Sequence, residues 1–489
     1  MEEAKLAHVL VVTFPSQGHV NPVLRLAKRL ASKGLLVTFS STEEAGLMMK
    51  KATDNKASTS IPIGKGKMRF EFFSDDPDLN DPNHTDLDAL MERLEKNGPK
   101  AVADLIDRQA KEGRPVSCVI SNPFLPWVLD VATDAGIQTG LLWVQSCAVF
   151  TAYYHYCNDP TIKYPATLES EISVELPGMP VLAPADIPSF MLETNPYKSL
   201  TDVIVNQFKN IKKASWVMVE SFMELERPII EALEGKASLL PIGPLLKSPQ
   251  DVESKTIRGD LWKSADCIEW LDSHEPGSVV YVSLGSVVVL DNEQLEEMAW
   301  GIKNSGRKFL WVVKPAPNEN EKGLPEWFLK ETAERGMVVP WCPQEEVLLH
   351  PSVACFFTHC GWNSSMESLC SGVPVVGFPQ WGDQVTNAKF LADVFSVGVR
   401  VKADKGSLVS REEVERCISE VVGGPRAEEM KKMAIKWKEA AAEAVSVGGS
   451  SDRNIQAVVD DIKQKAANLH AIKVDNGVIN DVCTIPLTN

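Results

Sequence analysis

No apolar run in this chain of 489 residues approaches the ~18 positions of a membrane-spanning helix, so a helical integral membrane protein is excluded. Basic residues are in deficit, with 50 Lys and Arg against 66 Asp and Glu and a formal net charge of −16. A protein that follows the phosphates of a nucleic acid needs a basic face, and that class is set aside. Cysteine is sparse and forms no C-x-x-C pair, in a chain too large to need covalent staples. Reduced thiols in a cytoplasmic protein are the expected state. The start, MEEAKLAH, is acidic and its apolar stretch ends at Phe14, so no signal peptide is expected. A P-loop lysine motif, a G-x-G-x-x-G after a strand and a G-x-S-x-G elbow are all missing, which disfavours kinases, nicotinamide enzymes and serine hydrolases.

What remains is an ordinary globular mix, 44% hydrophobic and 24% charged, long enough for more than one core. HVLVVTF reads as a strand buried on both faces of a parallel sheet. PSQGHVNP follows as a loop, and helical spacing runs from Val23 to Lys33, with Asn21 as N-cap and Pro22 at the first helical position. Leu35 to Ser40 is the next strand, which completes a βαβ unit. The pattern returns near Cys118 and Gly140, and the proline-dense stretch Pro160 to Pro196 interrupts it with irregular structure. A second alternating series opens with a strand at Val279 to Leu284 and a helix at Asn292 to Asn304, then continues through Lys308, Ala354 and Val375. The fold class is therefore α/β, with two layered units. Ligands of such sheets sit beyond the carboxyl ends of the strands, so two facing units imply a cleft.

The strongest signal is the 44-residue block from Trp341 to Gln384, WCPQEEVLLHPSVACFFTHCGWNSSMESLCSGVPVVGFPQWGDQ. Its middle reads as strand (CFFTH), turn (CGWN) and helix opening at Ser364. Exposed N–H groups at such a helix start attract anions, which puts His359, Asn363 and Ser364 where a diphosphate would land. Two blander readings stand beside this one. Ser364 and Glu367 have capping-box spacing, and Trp341 or Trp362 alone would serve as core. Cys355, His359 and Cys360 fall around one strand end with poor metal-ligand geometry, and no metal is expected. Asp76, Asp78, Asp86 and Asp88 form D-x-D pairs in a polar loop stretch, where solvated turns are the expectation. His19 lies between a buried strand and a helix start, exposed at the sheet's carboxyl edge. There an imidazole can serve as a general base.

The block resembles the signature of the plant family-1 UDP-sugar-dependent glycosyltransferases, through W-x-P-Q, H-P, F-x-T-H-C-G-W-N-S, E, G-V-P and the closing D-Q. FPSQGHVNP near the amino terminus and SLGS at Ser283 to Ser286 extend the likeness over most of the chain. The resemblance implies the GT-B fold, two facing Rossmann-like domains with a cleft between them. On that layout residues 1–246 form the acceptor-binding domain, 247–264 the linker and 265–451 the UDP-sugar-binding domain. A helix near 452–468 packs back on the first domain, and 469–489 is a tail. The resemblance also implies that Trp341 stacks on uracil, with Cys342 and Gln344 beside the nucleoside, and that Glu367 holds the ribose. Gly18, Ser286, His359, Asn363 and Ser364 would hold the diphosphate, and Trp362, Asp383 and Gln384 the sugar, with the terminal Gln associated with glucose. His19 would be the base of an inverting transfer. UDP-glucose enters as a co-substrate, with no cofactor, and a monomer is expected.

Two positions depart from the family pattern. Many relatives pair the His with an Asp where this chain has Asn122, and many carry a hydroxyl residue where it has Val144, a role left to Gln145 or a backbone group. A carboxylic acid of pKa near ~4 is already ionised at neutral pH and needs little base catalysis. Segments such as SNPFLPW and LLWVQSCAVFTAYYHY also look like hydroxycinnamate and gallate 1-O-glucosyltransferases. The expected activity is glucose-ester formation on such phenolic acids. Phenolic hydroxyls, or limonoid and indole acids, are the alternative acceptors, and a sugar-nucleotide-binding sensor is the non-enzymatic alternative. Phe14, Gln17, Phe124, Gln145, Phe150 and Trp381 are the acceptor-pocket candidates.

Overall fold

Short β-branched and aromatic runs with no polar face form strands that are covered on both sides, and these runs build two sheets here. A computed structural model describes residues 6–52, 60–75, 86–195, 198–246, 259, 261, 265–286, 288–313, 323–403 and 408–468, and residues 469–482 as backbone alone. The expected linker therefore lies outside the described residues except for Gly259 and Leu261, as do Asp76, Asp78 and the end of the expected tail.

The first sheet holds β1 (His8–Val12), β2 (Leu36–Ser40), β3 (Ile61–Ile63), β4 (Gly66–Phe70), β5 (Cys118–Ser121), β6 (Gln138–Trp143), β7 (Trp216–Val219) and β8 (Leu239–Pro241). Its spatial order is β3-β4-β2-β1-β5-β6-β7-β8, parallel throughout except for the β3/β4 edge. The second sheet holds β9 (Val279–Ser283), β10 (Lys308–Val312), β11 (Gly336–Val339), β12 (Val353–Thr358), β13 (Val375–Gly377) and β14 (Gly398–Arg400), in the order β11-β10-β9-β12-β13-β14. Strand order reverses at β1/β5 in the first sheet and at β9/β12 in the second. Those are the points where the loops beyond the strands splay apart and leave a crevice.

Alternation along each strand divides the cores. In β1, Val9 and Val11 pack under the helix Gln17–Ser32, while Leu10 and Val12 face the helices Leu87–Lys111 and Trp127–Asp134. One apolar cluster is continuous across the two units, running from Trp143 and Phe150 through Phe190 to Trp362 and Phe390. The carboxy-terminal helix Ser450–Val482 returns to the first unit, where Ile455, Val458, Val459 and Ile462 join the apolar layer on the β1 and β2 side. Lys33 Nζ meets Asp452 at 2.6 Å and Gln138 Nε2 donates to Asp461 at 2.9 Å.

Several boundaries differ from the sequence reading. The first long helix spans Gln17–Ser32, so Asn21 and Pro22 lie inside it and Ser16 is the N-cap, without a side-chain cap bond. The helix after β12 starts at Trp362 with Gly361 as N-cap, which removes Ser364 and Glu367 from a capping box. The backbone is helical on to Val482, beyond the 468 limit that weak periodicity suggested. Asp86 caps the helix Leu87–Lys111 by accepting from Ala89 N at 3.1 Å, a structural use for half of its D-x-D pair.

Ile462 is almost fully buried. Ile462→Ala should therefore destabilise the first unit by about 2–4 kcal/mol and lower the calorimetric Tm by several degrees. An unchanged Tm would mean that the helix is not part of that core.

Candidate active site

The loop after β1 leads directly into the helix Gln17–Ser32 and sets His19 in its first turn, half-buried beside Phe14 and Phe124 at ring-centroid distances of 5.3 and 4.5 Å. His19 Nδ1 lies 2.8 Å from Asn122 Oδ1, and the same oxygen accepts the Phe124 backbone N–H at 3.2 Å. A backbone N–H can only donate, so the atom it meets must be the amide oxygen, and Nδ1 must therefore carry the ring proton. Nε2 is left with a lone pair, the tautomer a general base requires. Burial lowers the His19 pKa to about 4, and the Asn122 hydrogen bond only partly opposes this. An amide supplies orientation without the negative charge that would stabilise an imidazolium. Asn122 Nδ2 is buried with no hydrogen-bond partner among the described residues.

Across the cleft, β12 delivers His359, Cys360 and Gly361 to the start of the helix Trp362–Ser371. The His359 ring fills the space of two absent side chains. A Cβ on Gly285 would stand 2.6 Å from it, and one on Gly361 would stand 2.4 Å from its Nε2. Burial lowers its pKa to about 4 as well, and its Nδ1 has no hydrogen-bond partner among the described residues. Cys360 adopts φ 63°, left-handed backbone at a non-glycine residue, costing about 1–2 kcal/mol. This strained turn aims the first N–H groups of the helix into the cleft. Asn363 Nδ2 donates to Gly18 O at 2.7 Å and so ties the helix start to the turn that carries His19.

Ser364 and Glu367, three positions apart, share one helix face, and Gln344 Nε2 donates to both, at 2.9 Å and 2.5 Å. Tyr281 OH donates to Gln344 Oε1 at 2.9 Å. Arg25, from the first unit, forms ion pairs with Glu345 and, at 3.5 Å, with Glu367. Burial pushes the Glu367 carboxyl above the ordinary range, against the pull of Arg25. The sequence offered no cue to Arg25, because a cation on an amphipathic helix reads as a solvated face.

Asp383 and Gln384 begin the short helix after β13. Burial pushes the Asp383 pKa up to about 6, against hydrogen bonds from Asn387 and from Gln145 of the first unit. Gln384 Oε1 accepts the backbone N–H groups of Gln380 and Trp381, so its NH₂ is the end left to a ligand.

Most of these groups, though not the buried Asn122, border one cavity of about 360 Å³ between the two sheets, along with Phe14, Gly18, Val144, Ser286, Trp341, Cys342 and Trp381. One expectation needs correction. Phe150 is fully buried against Trp143 and Phe208 behind the cavity wall, because its helix turns that face into the core. Gln17 borders the cavity, and its carboxamide is engaged with Asn21, Gly259 O and Leu261 N, which suits it to holding the chain between the units. Trp362 borders the cavity as well, with its ring buried and its indole N–H donated to Glu220 O at 2.6 Å. Phe190, in the proline-dense stretch, borders the cavity without having been foreseen.

Gly361 has φ −57°, which alanine tolerates, so Gly361→Ala would act through His359 alone. Calorimetric titration with UDP, the ligand the resemblance expects there, should show affinity reduced on the order of 10- to 100-fold, with thermal stability little changed. Wild-type affinity would separate His359 from ligand binding.

Comparison with known proteins agrees with this geometry. The family described as UDP-glucoronosyl and UDP-glucosyl transferase matches residues 260–437, and a glycosyltransferase N-terminal domain family matches residues 5–238. The gallate 1-beta-glucosyltransferase 84A23 of Punica granatum is 50% identical over 98% of this chain and 96% of its own. The cinnamate beta-D-glucosyltransferase of Fragaria ananassa is 46% identical, over 96% of this chain and 85% of its own. Among solved structures, Os79 from O. sativa in complex with UDP superposes with a TM-score of 0.83 at 34% identity, covering 93% of this chain and 100% of that one. With identity of this order along nearly its full length, the chain belongs to the UDP-glucosyl transferase family and is a glycosyltransferase of the GT-B fold.

Proposed function

We propose that the protein transfers glucose from UDP-glucose to the carboxyl group of a phenolic acid of hydroxycinnamic or gallic type, giving a 1-O-acyl-β-glucose ester with inversion at the anomeric carbon. The observation that carries the acceptor class is the amide, in place of a carboxylate, behind His19. A base whose conjugate acid has a pKa of about 4 matches a carboxylic acid of pKa ~4. Against a phenol near ~10 it falls short by roughly 6 units, about 8 kcal/mol of unfavourable proton transfer. The names of the relatives from Punica granatum and Fragaria ananassa support the same acceptor class.

In this reading His19 Nε2 takes the acid proton, or meets an acceptor that has already lost it, and the carboxylate oxygen attacks C1 of glucose from the face opposite the phosphate. The C1–O bond to UDP breaks, and the leaving diphosphate is met by the N–H groups opening the helix Trp362–Ser371 together with Asn363, Ser364, His359 and Ser286. Trp341, Cys342 and Gln344 take the uridine, Glu367 takes the ribose, and Asp383 and Gln384 take the glucose hydroxyls. Both walls of the cleft come from one chain, which supports a monomer acting on two small molecules. No helix among the described residues is long and apolar enough to cross a membrane. The nine described cysteines are all free, which supports a reducing compartment such as the cytoplasm.

A hydroxycinnamic acid should be turned over at least tenfold faster than its methyl ester, which keeps the phenol but lacks the acid. Equal rates of UDP release from the two would sink the acceptor assignment. Asn122→Asp would place a negative charge at Nδ1 and raise the His19 pKa. Above its pKa the imidazole is in its working, neutral form, so the acidic limb of phenol glucosylation should move up from about pH 4 toward neutrality in this variant. The phenol-to-acid turnover ratio should rise tenfold or more. A ratio and a limb that both stay in place would remove the argument from base strength.

A further inference from the structure

The loop that carries Asp383 and Gln384 is fixed by the other domain as well as by its own sheet. Gly382 N–H donates to Ser189 Oγ at 2.6 Å, and Ser189 N–H donates to Gly382 O at 3.0 Å, so both backbone groups of Gly382 are satisfied by one residue of the first unit. Ser189 opens a short 3₁₀ turn, Ser189–Met191, in the proline-dense stretch. The next residue, Phe190, packs on Trp381 at 5.8 Å between ring centroids, and both rings border the cavity. Three residues upstream of Ser189, Asp186 O accepts Thr386 Oγ1 at 2.7 Å, and its carboxylate pairs with Arg400 at 2.8 Å and Lys389 at 3.3 Å. These contacts bracket residues 381–386 on both sides.

We propose that Ser189 is a positioning residue for the glucose end of the donor: from the acceptor-side domain, it holds Gly382 so that Asp383 and Gln384 meet the sugar in register, and it thereby contributes to the choice of hexose. This rests on the reading that Asp383 and Gln384 face the sugar. The mechanical reason is that Gln384 Oε1 is held by the backbone N–H groups of Gln380 and Trp381, within the segment that Ser189 anchors. A shift of that segment turns the free NH₂ away from its hydroxyl partner. The uridine and diphosphate sites are built instead on the segment after β11, the turns after β9 and β12 and the helix Trp362–Ser371, which do not touch Ser189 through any of these bonds. Loss of the clamp therefore acts on the sugar and spares the nucleotide.

Ser189 is partly exposed, so Ser189→Ala removes one hydrogen bond at little risk to folding. The measurements are the calorimetric Kd of UDP, KM and kcat for UDP-glucose with a saturating phenolic acid, and the kcat/KM ratio of UDP-glucose to UDP-galactose. For the alanine variant, UDP affinity should stay within about twofold, while KM for UDP-glucose rises roughly 3- to 10-fold, the value of a single hydrogen bond, and the hexose preference narrows by a similar factor. Ser189→Thr, which keeps the hydroxyl, should stay near wild type. Equal weakening of UDP and UDP-glucose, no change in either, or a threonine variant that behaves like alanine would overturn the proposal. A wild-type protein that binds UDP but gains no affinity or turnover with UDP-glucose over other UDP-hexoses would overturn the donor reading itself, and this inference with it.

Discussion

Parallel strands can be joined only by crossovers, so every loop that follows a strand leaves the sheet at the same edge. The second sheet is wholly parallel and the first nearly so, which collects the turns after β1, β5 and β6 on one rim and those after β9, β12 and β13 on the other. Neither rim alone surrounds a ligand. The cavity exists because the rims are held face to face, and the bonds that do this lie next to the groups expected to perform chemistry. Asn363 reaches the residue before His19, Arg25 reaches Glu367, Gln145 reaches Asp383 and Ser189 reaches Gly382. A buried cluster shared by the two units fixes the hinge side of the same cleft.

One of those bonds turns on a proline. Inside a helix Pro22 cannot donate to the carbonyl four residues back, and that carbonyl belongs to Gly18. In this fold Gly18 O accepts Asn363 Nδ2 instead, so the gap left in the helix becomes a link between the domains. The sequence reading placed Pro22 at the first helical position because an isolated helix favours it there. The tertiary bond accounts for the longer helix and for His19 residing on it rather than on a loop.

The pattern of what was legible follows from the same physics. Strands announced themselves as apolar runs, and the helix Asn292–Asn304 was read to the residue because Asp291 caps it locally, accepting from Gln294 N. The helices beginning at Gln17 and Trp362 were started too late, since neither Ser16 nor Gly361 makes a side-chain cap bond and tertiary contacts hold those ends instead. The chemistry-bearing block was visible because it is contiguous. Phe150 was misjudged because spacing does not say which face of an element meets a cavity. Arg25, Ser189 and Phe190 were invisible for a complementary reason: their meaning depends on a partner far along the chain.

Burial gives the cleft a distinctive electrostatic state. His19 and His359 are kept neutral, and Asp383 and Glu367 have their pKa values pushed upward. A diphosphate entering such a site meets oriented N–H dipoles in a partly buried cleft, where dipoles act more strongly than in open water. The same burial makes a strong base hard to sustain at His19, because an imidazolium would need an anion at Nδ1 and finds only an amide oxygen. A weak base is adequate where the acceptor is itself an acid of matching strength, since the proton then moves between near-equal partners and no large charge separation has to be built in a low-dielectric cleft. By the same logic an Asp at position 122 would bring a buried carboxylate whose desolvation has to be offset, and an acid-glucosylating enzyme gains nothing from that charge. The amide behind the imidazole is thus consistent with the acceptor chemistry, and the departure at Asn122 can be understood as an adjustment of base strength to the substrate.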